Sequence, residues 1–171
     1  MASPEPLELQ LHDAGQTAGL GAALAHSAPW GSPQPLTLFL EGHLGAGKTT
    51  LARGLLRALG VVGPVRSPSY TLLEQYEAAG HSLLHLDLYR LNGAAELEAL
   101  GIRDELEPGA MLLVEWPERA AGGLPVPDLT VALAMSGAQR RAEVRSSTPV
   151  GSAWLESLRQ QPMAPPGGAE N

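Results

Sequence analysis

Three stretches of the chain carry the clearest pattern of apolar and polar residues. Residues 36–40 (LTLFL) and 111–115 (MLLVE) are apolar runs, typical of strands buried on both faces of a sheet. Residues 129–135 instead place a large apolar side chain at every second position, which predicts a half-exposed strand. Gly137 then predicts a turn into a partner strand at about 140–146, so a C-terminal β-hairpin is expected.

The other predicted elements are shorter and complete an α/β pattern. Further strands are expected at 7–11, 71–76 and 82–88, and helices at about 14–27, 48–59, 94–100 and 151–160. Asp13 is the expected N-cap of the first helix, because Gln16 stands three residues further on. Strands and helices in this order predict a layered α/β fold with a mixed sheet.

The composition fits one packed domain. The chain has 171 residues, of which 44% are hydrophobic and only 4% aromatic, so aliphatic side chains and Ala must fill the core. We assign residues 1–161 to a single domain. Residues 162–171 (PMAPPGGAEN) are expected to be a disordered tail.

Several classes of function are excluded by composition and charge. The absence of Cys excludes disulfides, thiolate zinc sites and thiol nucleophiles. No apolar run approaches the roughly 20 residues of a membrane span, and the first ten residues hold no basic side chain, so we expect a cytoplasmic protein. A net charge of −7 disfavours direct binding of nucleic acid, so another component would have to hold it.

One motif stands out from this background. Residues 42–49 (GHLGAGKT) match the phosphate-binding pattern G-x-x-x-x-G-K-[ST] at every specified position, and Lys48 is the only Lys among eleven basic residues. The glycines let backbone N–H groups face phosphate oxygens, while the following helix directs its positive end at the same anion. Lys48 is expected to reach the β- and γ-phosphates, and the Thr49 hydroxyl to ligate Mg²⁺. The buried strand before the motif and the amphipathic helix after it predict a P-loop NTPase-like three-layer fold with a mixed, mainly parallel central sheet.

Two carboxylates are candidates for holding the metal or orienting the attacking water. Asp87 and Glu115 each follow an apolar run, as an acid at the carboxyl end of a neighbouring strand would. The sequence does not assign which acid has which role. His85 stands two residues before Asp87 on the same strand face, and we interpret it as a packing residue rather than a catalytic one.

Two other features are given structural interpretations. Residues 135–139 (MSGAQ) resemble the LSGGQ signature of ABC transporter ATPases, but no acid-ended strand follows, so we predict a hairpin turn. Arg140, Arg141 and Arg145 form the one basic cluster. One interpretation of this cluster is a contact with a nucleotide or an acidic partner. We favour the other interpretation, in which these arginines are solvated residues of a strand.

Five blocks, in order and spacing, resemble the TsaE (YjeE) family: GHLGAGKTTLARGLLRALG, VRSPSYTLLEQYE, LLHLDLYRL, ELEALGIRDEL and LLVEWPERA. The similarity is dense over residues 36–119. It implies a small bacterial P-loop protein that binds ATP and Mg²⁺, hydrolyses ATP slowly and acts with the TsaB–TsaD heterodimer. That complex makes threonylcarbamoyladenosine at position 37 of tRNA, so tRNA would be reached only indirectly.

The resemblance also implies the site residues. The family's SPTYTL segment falls on residues 67–72, its functional Asp on Asp87, and its Glu-Trp pair on Glu115 and Trp116. The catalytic candidates are Lys48, Asp87 and Glu115. The metal candidates are Thr49, Glu115 and Asp87. The nucleotide-binding candidates are Gly45, Ala46, Gly47, Lys48, Thr49, Thr50, Thr71, Trp116 and Asp13.

Two positions depart from the family pattern. His43 stands where the family usually has Asp, which is expected to alter nucleotide affinity or turnover. Ser69 replaces the first Thr of SPTYT and keeps the hydroxyl.

Two alternative functions remain open, and a third is nearly excluded. A small-molecule kinase on the same fold would need an arginine-rich lid, for which the Arg140 cluster is the one candidate. A nucleotide-gated adaptor with little catalytic role also fits. Guanine readout through N-K-x-D is ruled out, because the sole Lys is Lys48.

Overall fold

A seven-stranded sheet forms the middle layer of the protein, in a computed structural model that describes residues 2–68 and 70–163. Its strands are β1 (Leu7–Leu11), β2 (Leu36–Glu41), β3 (Leu73–Ala78), β4 (His81–Asp87), β5 (Met111–Glu115), β6 (Leu129–Ser136) and β7 (Gln139–Ser146). Their order is β1-β7-β6-β2-β5-β4-β3. β4, β5, β2 and β6 are parallel, β1 runs the same way, and only β3 and β7 oppose them. The predicted mixed, mainly parallel sheet and C-terminal hairpin are confirmed.

Helices cover both faces of the sheet. They are α1 (Ala14–Ser27), α2 (Lys48–Ala58), α3 (Ala94–Glu98), α4 (Ile102–Glu105), α5 (Pro149–Arg159) and a short 3-10 helix (Pro117–Ala120). Apolar residues of α1, α2 and α5 join one core cluster, and those of α3, α4 and the 3-10 helix join a second. No described helix is long and apolar enough to cross a membrane.

The continuous apolar runs are explained by burial on both faces. In β5, Met111 and Leu113 point into the first core cluster, whereas Leu112 and Val114 point into the second. Because successive side chains of a strand alternate between faces, a strand with a core on each side needs apolar residues throughout.

Two glycines let α1 and α2 pack backbone to backbone. A Cβ on Gly21 would lie 2.1 Å from the carbonyl oxygen of Leu51, and one on Gly54 would lie 2.1 Å from that of Ala18. Since α2 begins at Lys48, this close packing fixes the start of α2 relative to the rest of the domain.

Several boundaries differ from the predictions. β3 starts two residues late, because Thr71 and Leu72 lie in a turn and Leu72 has φ 63°. The β3–β4 turn is Ala79-Gly80 alone, with φ 53° and 78°, the signs that a two-residue type I′ hairpin turn needs. The sequence did not predict α4 or the 3-10 helix, each of four residues. Ser69 and residues 164–171 of the expected tail lie outside the described residues.

The carboxyl ends of β2, β4 and β5 meet at one edge of the sheet. Glu115 lies beside Leu40 of β2 and beside Asp87 of β4 in the pairing register. The phosphate-binding motif leaves β2 at the same edge, since α2 begins only seven residues after β2 ends. Ligands of open α/β sheets bind at this edge.

Candidate functional site

The loop between β2 and α2 has the backbone of an anion cradle. Gly42, Gly45 and Gly47 have φ 145°, 81° and 110°, which other residues rarely adopt. A Cβ at Gly42 would also lie 2.5 Å from the carbonyl oxygen of Leu133 in β6. Gly47 is the N-cap of α2 and has no side chain to cap the first N–H groups of the helix. Those amides are therefore left to bind an anion.

Lys48 is 4% exposed and is held by the loop itself. Its Nζ donates to the carbonyl oxygens of Gly42, at 2.5 Å, and His43, at 3.0 Å. The ammonium also lies 4.0 Å from the ring centre of Trp116, a cation–π contact. Burial lowers the pKa of Lys48, and the negative charges of Glu115, Glu118 and Asp87 oppose that shift.

The side chain of His43 is exposed, so this departure from the family pattern contributes mainly backbone groups to the loop. Its carbonyl oxygen accepts from Lys48 Nζ and from the Ala46 amide. The imidazole is not among the groups that line the cleft described below.

Glu115 joins the loop to the sheet. Its Oε1 accepts a hydrogen bond from the Thr49 hydroxyl at 2.8 Å, and its Oε2 lies 2.7 Å from Nε2 of His85. His85 and Glu115 are almost fully buried, at 0% and 2% side-chain exposure. The His85 side chain is thus buried, as its interpretation as a packing residue requires, but it also contacts a candidate site residue.

Asp87 is the second acid of the site. Its carboxylate accepts hydrogen bonds from the Ser67 hydroxyl and, at 3.0 Å, from the Tyr89 amide. Burial raises the pKa of Asp87, the Tyr89 amide lowers it, and the nearby charge of Glu115 raises it further. A carboxylate of raised basicity beside a second carboxylate is typical of acid–base and metal chemistry.

A cleft of about 410 Å³ brings most of the predicted residues together. The predicted residues that line it are Gly45, Gly47, Lys48, Thr49, Thr50, Asp87, Glu115 and Trp116. Ala46 is buried behind the loop surface. Two candidates lie elsewhere: Thr71 is exposed outside the lining, and Asp13 caps α1 by accepting from the Gln16 amide at 2.8 Å.

Sequence reasoning underrated Arg140. The interpretation of solvated strand residues fits Arg141 and Arg145, which make exposed ion pairs with Glu8 and with Glu41 and Glu143. Arg140 instead reaches from β7 to the loop, donates through Nε to the carbonyl oxygen of Ala46 at 2.9 Å and lines the cleft. Nothing in the local pattern marks this contact, because 94 residues separate the two partners.

Three further lining residues were not singled out. They are Leu44, Tyr89 and Arg90. Tyr89 packs its ring 4.9 Å from that of Trp116, and Arg90 lies over the ring of Tyr70. Tyr89 and Arg90 stand two and three residues after Asp87, just beyond the carboxyl end of β4, and this position was the signal available for them in the sequence.

The candidate turn at residues 135–139 is a hairpin turn. Ser136 of β6 pairs with Gln139 of β7, and Gly137 has φ 63°. The likeness to the transporter signature is therefore explained by the turn.

The cleft offers oxygen ligands of the kind that Mg²⁺ prefers. Thr49, Glu115 and Asp87 supply a hydroxyl and two carboxylates, a hard oxygen donor set. Among the described residues, no three His, Cys, Asp or Glu side chains are grouped to hold a metal ion. Mg²⁺ usually keeps several waters and binds through one or two carboxylates together with phosphate oxygens, so these three side chains could hold it.

Comparison with known proteins identifies the relatives of this chain. Residues 11–143 match the family model described as "Threonylcarbamoyl adenosine biosynthesis protein TsaE". The protein of that name from Haemophilus influenzae is 44% identical over 116 residues, 68% of this chain and 73% of the relative. A Synechocystis protein of the same name is 40% identical over 117 residues, covering 66% and 71% of the two chains. The crystal structure of Bacillus subtilis YdiB superposes with a TM-score of 0.73 at 23% identity, covering 94% of this chain and 98% of YdiB.

Proposed function

This chain belongs to the TsaE family, whose members take part in threonylcarbamoyladenosine biosynthesis in tRNA, and from that membership we propose that it binds and hydrolyses ATP with Mg²⁺. We further propose that it supports threonylcarbamoyl transfer to adenosine 37 by acting on the TsaB–TsaD complex. The observation that carries the proposal is the grouping of Lys48, Thr49, Asp87 and Glu115 around one cleft at the carboxyl edge of the sheet.

The loop supplies the groups that a triphosphate needs. The first amides of α2 and the Lys48 ammonium are positive groups at the same end of the cleft, and Arg140 adds a guanidinium beside Ala46. Lys48 now bonds two carbonyl oxygens of the loop, and charged phosphate oxygens are the stronger acceptors for an ammonium. A nucleotide would therefore draw Lys48 towards the phosphates.

The two acids are proposed to have different roles. Glu115 contacts the Thr49 hydroxyl, so these two residues would hold Mg²⁺, directly or through water. When bound, the ion supplies charge neutralisation at the phosphate oxygens. Asp87 lines the same cleft and burial raises its pKa, so it is proposed as the base that orients and polarises the attacking water.

Slow turnover by the isolated protein is part of the proposal. Arg140 is tied through Nε to the loop backbone, and the Arg90 guanidinium lies over Tyr70, so neither is held as a free arginine finger in the described residues. Such a residue can be worth 10³–10⁵ in rate and is often supplied by a partner. With a net charge of −7, the protein is expected to meet tRNA only through the complex.

The test compares nucleotide binding and hydrolysis in wild type and two variants of α2. Lys48→Ala removes the ammonium at the cleft, and Arg57→Ala removes an exposed cation on the same helix that donates to the Val61 carbonyl oxygen. We expect Mg-ATP to raise the unfolding temperature of wild type and Arg57→Ala, and to leave Lys48→Ala unchanged. Absence of ATP binding by the wild-type protein would refute the proposal.

Added TsaB–TsaD separates the alternatives. Faster ATP hydrolysis on mixing supports the proposed role. If Lys48→Ala abolishes hydrolysis but still supports tRNA modification, the protein is a nucleotide-gated adaptor. Phosphoryl transfer to an added small-molecule acceptor, rather than to water, would favour the kinase.

A further inference from the structure

His85 occupies a position where the fold itself calls for an apolar side chain. It lies in β4, beside Leu113 of β5, with buried leucines before and after it in the strand. Its side chain is fully buried and is not part of the cleft lining. A polar ring at such a place needs a partner, and its partner is Glu115.

The direction of this hydrogen bond follows from the groups involved. The Glu115 carboxylate can only accept, so Nε2–H of His85 is the donor to Oε2. His85 Nδ1 is buried and has no hydrogen-bond partner among the described residues. A lone pair at Nδ1 avoids a buried, unpaired N–H, which fixes the tautomer that carries its proton at Nε2.

Both oxygens of Glu115 are therefore held by donors from different elements. Oε2 accepts from His85 inside the sheet, and Oε1 accepts from Thr49 at the start of α2. Because one oxygen is fixed in the core, the other is presented to the phosphate-binding loop with little freedom to rotate away.

We propose that His85 is a positioning residue for the nucleotide site. It holds Glu115 so that Oε1 faces Thr49, the residue with which Glu115 is proposed to hold Mg²⁺. The inference rests on the proposed function, because the consequence of positioning Glu115 is tighter use of Mg²⁺. His85 acts through Glu115 and does not itself touch the cleft. Buried partners that orient metal ligands are typically worth about 10–100-fold in metal affinity or activity.

The test uses two substitutions of nearly equal size. His85→Gln keeps an N–H donor, whereas His85→Met fills the same space without one. At fixed ATP, we expect the Mg²⁺ concentration for half-maximal hydrolysis to rise about 10–100-fold in His85→Met and to stay within about threefold of wild type in His85→Gln. The matched control is His81→Leu, at the other end of β4, where the ring stacks on Trp30.

A second measurement needs no activity. The unfolding free energies of His85→Met, Glu115→Met and the double variant form a cycle in the absence of nucleotide and metal, and each single variant removes the hydrogen bond between the two side chains. If the pair interacts, the double variant is more stable than the sum of the single effects predicts.

Three results would overturn the inference. The first is a folded His85→Met protein that needs the same Mg²⁺ concentration as wild type. The second is an equal rise in the required Mg²⁺ concentration in His85→Gln and His85→Met. The third is a double variant whose loss of unfolding free energy equals the sum of the two single losses. If His85→Met does not fold, His85→Leu replaces it. A wild-type Mg²⁺ dependence of hydrolysis in His85→Leu would then overturn the inference. An inactive wild-type protein would instead refute the proposed function, and this role with it.

Discussion

The substitution Gly54→Ala tests whether the contact between α1 and α2 is as close as described. On an exposed helix, replacing Gly by Ala stabilises by about 1 kcal/mol through helix propensity. Here the added methyl would lie 2.1 Å from the Ala18 carbonyl oxygen and 2.7 Å from the carbonyl carbon and Cα of the same residue. These are backbone atoms, so no side chain can rotate away to make room.

The magnitude follows from the overlap. Carbon and oxygen in ordinary contact are separated by at least 3.4 Å, so the helices would have to move apart by roughly 1.3 Å. Overpacking costs about 1–3 kcal/mol, and a rigid backbone contact belongs at the upper end. After the gain in helix propensity, we expect a net loss of about 2 kcal/mol, which for a chain of this length lowers the unfolding temperature by about 4–8 °C.

The measurement is thermal unfolding followed by far-ultraviolet circular dichroism. Gly31→Ala is the matched control, because Gly31 is in an exposed loop with nothing within 4 Å of an added Cβ, and its variant should stay within about 0.5 kcal/mol of wild type. A Gly54→Ala protein that melts at or above the wild-type temperature would refute the close packing, since helix propensity would then have prevailed.

Three further predictions concern charged side chains. Arg140→Ala should weaken ATP binding about tenfold in calorimetric titrations, because it removes a guanidinium from the cleft. Asp87→Asn should raise the unfolding temperature of the nucleotide-free protein at pH 8 but not at pH 3.5. The raised pKa of Asp87 favours its neutral form in the folded state, so wild type loses stability as pH rises from the ordinary value of 3.8 through the raised one. Asp128→Ala should lose about 3 kcal/mol in urea unfolding, because buried Asp128 accepts from the Thr37 amide at 2.8 Å and the Thr148 hydroxyl at 2.5 Å.

The first and third predictions have a control variant, and the second is checked by comparing two pH values. Arg141→Ala, which removes an exposed neighbour of Arg140, should bind ATP like wild type, and equal affinities in the two variants would contradict the first prediction. A difference between Asp87→Asn and wild type that is the same at both pH values would contradict the second. Asp104→Ala is the exposed control for Asp128→Ala, and equal stabilities would contradict the third.

The sequence predicted the parts of this protein that depend on local pattern. β5 is an apolar run in the sequence because both of its faces are buried. The order of strand, glycine-rich loop and helix around Lys48 directly predicts the backbone conformation of that loop. Asp87 and Glu115 were identified because an acid after such a run falls at the same sheet edge as the phosphate loop. The turn between β3 and β4 was predicted at Ala78-Ala79-Gly80, one residue too long, because Ala rarely takes positive φ and hydrogen bonds of the β3–β4 ladder enforce it at Ala79.

The contacts that connect these parts were not predictable in the same way. The link from Arg140 to Ala46 and the His85–Glu115 pair depend on strand order and register, which bring together residues 94 and 30 positions apart. A histidine inside an apolar strand looks the same in sequence whether it packs or orients a carboxylate. Only the register of β4 against β5 shows which side chain it faces.

The sheet order also constrains how the chain matures on the ribosome. Strand β2, which leads into the phosphate loop, has β5 and β6 as its neighbours, and β6 ends at Ser136. Until some 95 later residues have been synthesised, at least one edge of this apolar strand stays open, and open apolar edges invite pairing with other chains. We therefore expect a fragment that ends before β6 to leave that edge of β2 unpaired and to aggregate more readily than the full chain.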